Sequence, residues 1–189
     1  SNNALAITVT DTSAAAAGLN TVDGLTTVAI TATSVETITG TAANILTAIG
    51  SSGITTDGDY AATVNSGTAS VANINTLDAD TTGVITATVT EGDLSTLKTV
   101  DDANSNNALA ITVTDTSAAA ADLNTVDGLT TVAITATAVE TITGTAANIL
   151  TEIGSSGITT NGDYAATVNN GTDSVANHHK LDSRTTRRI

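Results

Sequence analysis

Short runs in which aliphatic and hydroxyl residues alternate recur along the chain. Leu5, Ile7 and Val9 fall on one face of such a run, with Ala6, Thr8 and Thr10 on the other. Ile85, Ala87 and Val89 repeat the pattern against Thr86, Thr88 and Thr90, and Tyr60, Ala62 and Val64 form a weaker version. β-Branched residues in period-two alternation fit a half-buried strand. The segment after each strand changes period. Val71, Ile74 and Leu77 are spaced by three, as are Leu94, Leu97 and Val100, which puts each trio on one stripe of a short helix. Thr12 or Ser13, Thr41, Thr68 and Asp93 are the expected N-caps, since their side-chain oxygens can accept the first free backbone amides. Gly24, Gly50 and the acidic turns Asp78–Asp80 and Asp101–Asp102 are the expected stops.

These segments are copies of one another. VTDTSAAAAGLNTVDG at Val9–Gly24 returns as VTDTSAAAADLNTVDG at Val113–Gly128, and shorter echoes start at Ile38, Val64 and Val89. Residues 1–73 and 105–177 differ at six positions: Gly18/Asp122, Ser34/Ala138, Ala48/Glu152, Asp57/Asn161, Ser66/Asn170 and Ala69/Asp173. No Val, Leu or Ile changes, so the aliphatic set reads as core and all six exchanged positions as solvent-facing. A strand–turn–helix of this length cannot bury its apolar face alone, but stacked on its neighbours it can. The pattern therefore predicts a β/α repeat solenoid with one parallel strand and one short helix per rung; an all-β parallel β-helix is the alternative. Matching strand positions Val9, Ala32, Val64, Val89 and Val113 give rungs of 23 to 32 residues. The longest rung holds VETITG, Val35–Gly40, as an insertion that reads as an extra short strand. Residues 1–104 form a first copy of about four rungs and 105–177 a second of about three, in a single continuous solenoid. Positions 178–189 (HHKLDSRTTRRI) differ from 74–85 (INTLDADTTGVI) at seven of 12 places. They read as a divergent basic cap or tail, of the polar kind that stops solenoids stacking end to end.

Composition supports a thin, regular interior. Pro, Cys, Met, Trp and Phe are all absent, and Tyr60 and Tyr164 are the only aromatics. The core must come from Ala, Val, Ile and Leu, without the large rings that usually fill irregular interiors. Formal net charge is −14, with four of the five basic residues inside Lys180–Arg188. So acidic a body disfavours nucleic acid and anionic lipid as ligands. No apolar run is long enough to span a bilayer. The opening SNNALAITVT recurs at Ser105–Thr114, which suggests a piece of a longer array or a matured product.

The runs TSAAAAGLNTVDGLTTVAI and ITATVTEGDLSTLKTV resemble tandem repeats of very large cell-surface and secreted, adhesin-like proteins of cyanobacteria and other aquatic bacteria. Those carry variants of T-A-A-x-L-N-T-L-D-G-x-T-T, and the likeness covers residues 1–177. A related T-A-A-E-L-N-x-L-D-G phrase in bacteriophage tail fibres is a weaker match: Gly18 stands where Glu would be expected, and Asp122 is closer. Both resemblances imply an extended extracellular structural or adhesive element.

Candidate chemistry is sparse, and the residues assign no catalytic, cofactor-binding or metal-ligating set. His178 and His179 are adjacent, so their side chains diverge on either a strand or a helix. The abundant Ser and Thr hydroxyls have no base to activate them. Asp57-Gly58-Asp59, Asp78-Ala79-Asp80 and Asp101-Asp102 are oxygen-rich turns that stacking could gather around calcium, but none matches a calcium-loop motif, and solvated turns are the simpler reading. Outward Thr8/Thr10, Thr86/Thr88/Thr90 and Thr112/Thr114 would form a Thr-x-Thr ladder of the kind suited to ordering water or ice, although the rung at Val64 keeps only Thr63. The expected function is a non-catalytic structural or adhesive segment outside the cell. Its expected partners are its own ends or neighbouring repeats, with no membrane insertion.

Overall fold

The computed structural model describes residues 3–169 and 174–183. Its elements run β1 (Ser13–Ala15), α1 (Ala16–Asp23), β2 (Ile30–Thr31), β3 (Thr37–Gly40), α2 (Ala42–Ile49), β4 (Ile54–Thr55), β5 (Ala61–Val64), α3 (Val71–Asp80) and β6 (Ile85–Thr88). There follow α4 (Leu94–Leu97), β7 (Ala108–Ala110), β8 (Ser117–Ala119), α5 (Ala120–Asp127), β9 (Ile134–Ala136), β10 (Thr141–Gly144), α6 (Ala146–Gly154), β11 (Ile158–Thr160), β12 (Ala165–Val168) and α7 (Val175–Asp182). This is an α/β protein, and every strand pairing whose register is defined is parallel. Helices throughout the described residues set aside the all-β alternative.

The chain divides into two compact bodies, Ser1–Thr90 with Asp101–Leu109, and Glu91–Val100 with Ala110–Ile189. In the first, one sheet runs β1-β3-β5-β6-β7 and a smaller one pairs β2 with β4. In the second, β8-β10-β12 form one sheet and β9-β11 another. Side chains hold the exchanged segments in place. The Leu94 amide donates to Asp115 Oδ2 at 2.8 Å, and Lys98 pairs with Asp122 at 3.0 Å, both within the second body. In the first body, the amides of Asp101 and Ala103 donate to Asn75 Oδ1 and Asp78 Oδ2.

Two short strands precede most helices, where one was expected. The supposed insertion at Val35–Gly40 contains β3, which pairs on one side with β1 and on the other with β5. It is a regular member of the larger sheet. The step from Val9 to Ala32 holds, because Thr8 bridges Thr31. The step from Ala32 to Val64 does not: the Ala32 amide bonds Thr55 O, whereas Val64 is the register partner of Gly40. The bend between β2 and β3 explains how both Val35 and Ile38 are fully buried while Glu36 stays exposed. Its amides at Glu36 and Thr37 both reach Thr12 O, so alternation does not carry across it.

Core positions follow the expected stripes. Tyr60, Ala62 and Val64, then Ile85, Ala87 and Val89, then Val71, Ile74 and Leu77 are all buried, as are Leu94, Leu97 and Val100. The exchanged positions depart from expectation in two places. Ala48 and its counterpart Glu152 are buried, and so is Ala69. Ala48 follows Ile45 by three residues and shares its stripe. Ala69 pairs as an isolated bridge with Val89. Gly18, Ser34, Asp57 and Ser66 are exposed, as are Ala138 and Asn161; Asn170 and Asp173 lie outside the described residues. The first expected strand is reduced to the bridge at Thr8, and Leu5 is 55% exposed while its copy Leu109 is fully buried within β7.

The caps show where ladder pairing overrides local preference. Thr41 and Asp93 cap α2 and α4 as expected, accepting the amides of Asn44 and Thr96. Neither Thr12 nor Ser13 caps α1. Ser13–Ala15 pairs with Thr37–Thr39, so the helix starts only at Ala16, after an Ala15 cap with no side-chain bond. Thr68 is likewise displaced, because Ala69 is held in the bridge to Val89 and Ser70 takes the cap, accepting the Asn73 amide at 3.2 Å. Ser70→Ala should therefore cost about 1 kcal/mol, while Thr68→Ala at an exposed hydroxyl should stay within about 0.5 kcal/mol. Denaturant melts of the two variants test the assignment, and equal losses would contradict it.

Candidate functional site

The acidic turns resolve into different roles. Asp78 and Asp80 lie in the last turn of α3 and serve as hydrogen-bond acceptors of the fold. Asp78 Oδ1 accepts Asn107 Nδ2 at 2.9 Å, and Asn107 Oδ1 accepts the Ile85 amide at 2.9 Å. Asn107 is fully buried, so this chain ties the end of α3 to the start of β6 with its donors and acceptors paired. Asp80 accepts the Tyr60 hydroxyl, and Thr81 donates to Tyr60 O. Burial, then the hydrogen bond and charge of Asp80, pushes the Tyr60 phenol well above its usual range. The Asp78–Asp80 and Asp101–Asp102 turns do meet, but they do so through backbone amides and Asn107. Asp57 and Asp59 are exposed and line an open groove of about 420 Å³ with Glu36, Ala61, Gly83 and Val84. Gly83 is required there, since a Cβ would lie 2.2 Å from Tyr60 O. Among the described residues no group of three or more His, Asp or Glu side chains is placed to hold a metal.

The threonines form rows other than the expected one. Thr8 bridges Thr31, and Thr31 is in register with Thr55. Thr112, Thr135 and Thr159 repeat this row in the second body. A separate row joins Thr39, Thr63 and Thr86. Thr8 and Thr86, expected together, therefore belong to different sheets. Thr31, Thr55, Thr135 and Thr159 were missed, and the signal for them was the 24-residue recurrence of Ile-Thr. Thr8, Thr31 and Thr55 are exposed, whereas Thr39 and Thr63 are half-buried. Parallel strands set such hydroxyls ~4.8 Å apart.

Two further features were not read from the sequence. Glu152 on α6 is 2% exposed, and its Oε2 has no hydrogen-bond partner. Burial pushes its carboxyl up to about 7, because desolvation disfavours the charged form. The second feature is an open groove of about 350 Å³ on α7, lined by Val175, His178, His179 and Asp182. His178 and His179 are both exposed there. The two histidines, expected to diverge, thus both line this one groove. Val175 is 87% exposed, the most of the large apolar side chains among the described residues. No described helix is long and apolar enough to cross a membrane. The chain matches no protein-family model, no curated protein and no solved structure.

Proposed function

We propose that the chain is a non-catalytic structural or adhesive segment of a larger extracellular bacterial surface protein. In this reading it is built of solenoid rungs that each contribute two short parallel strands and one helix. One observation carries the proposal: strand partners are separated by a constant step. Ser13 pairs with Thr37, Thr37 with Ala61 and Ala62 with Ile85 in the first body. Ser117 pairs with Thr141 and Thr141 with Ala165 in the second. Each step is 23 or 24 residues, and the helices follow in the same order, α1 on α2 on α3, and α4 on α5 on α6 on α7. Repetition of one pairing step is what nearest-neighbour stacking requires. The same stitch recurs between helices, where Asn20 Nδ2 donates to Asn44 O and Asn124 Nδ2 to Asn148 O, each at 3.0 Å. The extracellular setting rests on the resemblance to adhesin-like repeats.

Such a segment works by joining neighbouring repeats or other copies of itself. The test replaces residues 178–189 with the sequence of 74–85 and follows the purified chain by electron microscopy and light scattering, with and without calcium. Growing assemblies in the variant, and smaller ones in the parent, are expected if the basic end blocks stacking. Monomers in every condition would overturn self-association, and turnover in a broad hydrolase screen would overturn the non-catalytic reading. The registered Thr8–Thr31–Thr55 row supports a second reading, a face that orders water or binds ice. Dose-dependent thermal hysteresis, lost in Thr31→Tyr, is its expected mark.

A further inference from the structure

The two sequence copies differ at one turn in a way that carries chemistry. Asp57-Gly58-Asp59 of the first copy is Asn161-Gly162-Asp163 in the second. Each turn joins two strands: β4 ends at Thr55 and β5 begins at Ala61, while β11 ends at Thr160 and β12 begins at Ala165. Both glycines take up left-handed backbone, with φ of 85° at Gly58 and 75° at Gly162, a conformation glycine adopts without steric cost. Asn161, Gly162 and Asp163 are all exposed.

An asparagine followed by glycine carries its own attacking group. A bond from the Gly162 nitrogen to Asn161 Cγ closes a five-membered ring, and such an intramolecular step needs no encounter. A side chain on the following residue would crowd that nitrogen, and Gly162 has none. A Cβ placed there would meet nothing within 4 Å, so the surrounding fold adds no crowding of its own. The Asp163 amide donates to Asn161 Oδ1 at 2.9 Å, and Asn161 Nδ2 donates to Thr137 O at 3.2 Å. The first of these is the bond of an Asx turn. It closes a ring of atoms that contains the Gly162 nitrogen, keeping the side chain folded over that peptide, and it draws electron density from the carbonyl to be attacked. Asn124 and Asn148 lack this arrangement: they lie within α5 and α6 and are followed by the β-branched Thr125 and Ile149. The other Asn-Gly pair in the sequence, at 170–171, lies outside the described residues.

We infer that Asn161 is a self-modification site, at which the Gly162 amide converts the side-chain amide to a carboxylate by deamidation. The Gly162 nitrogen gives its proton to water or hydroxide and bonds to Asn161 Cγ. The Cγ–Nδ2 bond then breaks, and Nδ2 takes up a proton and leaves as ammonia, which closes a succinimide. One water opens the ring. Attack at Cγ restores the main chain with aspartate at 161, and attack at the main-chain carbonyl of 161 leaves isoaspartate. No atom changes oxidation state. The aspartate product has a precedent in the first copy, where Asp57 occupies the same turn and lines a groove with Glu36 and Asp59. The counterparts Glu140 and Asp163 are exposed like Asn161. The reaction therefore gives the second copy the three carboxylates of the first, and it removes the donor that holds the turn to Thr137 O. The surface of this repeat grows more negative as the protein ages.

The reaction is independent of the stacking reading above. The experiment incubates the full chain carrying Asn170→Ser, the residue of the first copy at that place, at 37 °C and pH 6 to 9. Fragmentation mass spectrometry should find a species about 1 Da heavier with the gain at residue 161. It should accumulate faster as pH rises, because the nitrogen attacks after losing its proton. Chromatography should split it into aspartate and isoaspartate forms of equal mass. Asn161→Gln should show no gain at 161 over the same period, and Gly162→Ala should slow it at least tenfold; circular dichroism checks that both keep the fold. No gain at 161 in the folded chain while a synthetic peptide of residues 158–165 deamidates would overturn the site, because the turn would then protect Asn161. A rate no faster than at the exposed Asn104, which precedes Ser105, or a rate unchanged by Gly162→Ala, would overturn it as well.

Discussion

Ile142→Asp should unfold the second body at neutral pH. Ile142 is fully buried in β10, the central strand of β8-β10-β12, where it is in register with Ala118 on one side and Ala166 on the other. Removing a buried isoleucine forfeits about 2–5 kcal/mol in transfer and cavity terms. Leaving a carboxylate in its place adds several kcal/mol of uncompensated desolvation. Together these approach the whole stability of a small domain, about 5–15 kcal/mol. Thermal denaturation followed by circular dichroism should show loss of the second-body transition. Thr159→Asp, at an exposed threonine of β11, should shift it by no more than about 0.5 kcal/mol. Comparable melts for the two variants would mean that β10 is not the centre of a packed layer.

Glu152→Ala should stabilise the same body, by about 3–4 kcal/mol at pH 7.5, with each pKa unit worth about 1.4 kcal/mol. The folded carboxyl titrates near 7 because it is buried, whereas an unfolded glutamate titrates near ~4.3. Between those values the folded state holds more protons than the unfolded state, so stability falls as pH rises through that window and levels above it. At pH 4 both states are protonated and the advantage of alanine should nearly vanish. The first copy already shows that alanine fits, since Ala48 in the same position of α2 is 1% exposed. Denaturant melts of parent and variant from pH 4 to 8 check this. A gain that does not change with pH would mean that packing, and not proton binding, separates the two residues.

The same position shows how far the sequence could be read. Ala48 follows Ile45 by three residues, a spacing that fits the buried stripe, but its exchange to Glu152 was read as a sign of exposure. Charge exchange between copies is weak evidence of exposure when a helix is short and its stripe narrow. The caps divide in a similar way. Thr41 and Asp93 were legible because their neighbours leave the backbone amides free. Thr12, Ser13 and Thr68 were not, because parallel pairing extends the strand past them. The acidic turns read as loose loops, yet Asp78 accepts in a buried network with Asn107, 29 residues after it, and Asp80 accepts the Tyr60 hydroxyl.

By itself the sequence determined the alternation of the strands, the apolar stripes of the helices, the repeat and the absence of large aromatic filling. Each follows from side-chain period and composition within a few neighbouring residues. Only the tertiary structure decided that two strands precede most helices, that Thr8 joins Thr31 and Thr55, and which copies of a residue are covered. Leu5 and Leu109 share their local sequence, yet Leu5 is exposed and Leu109 buried. Burial is set by what neighbouring strands and helices place over a residue, and near-identical local sequence leaves that undetermined.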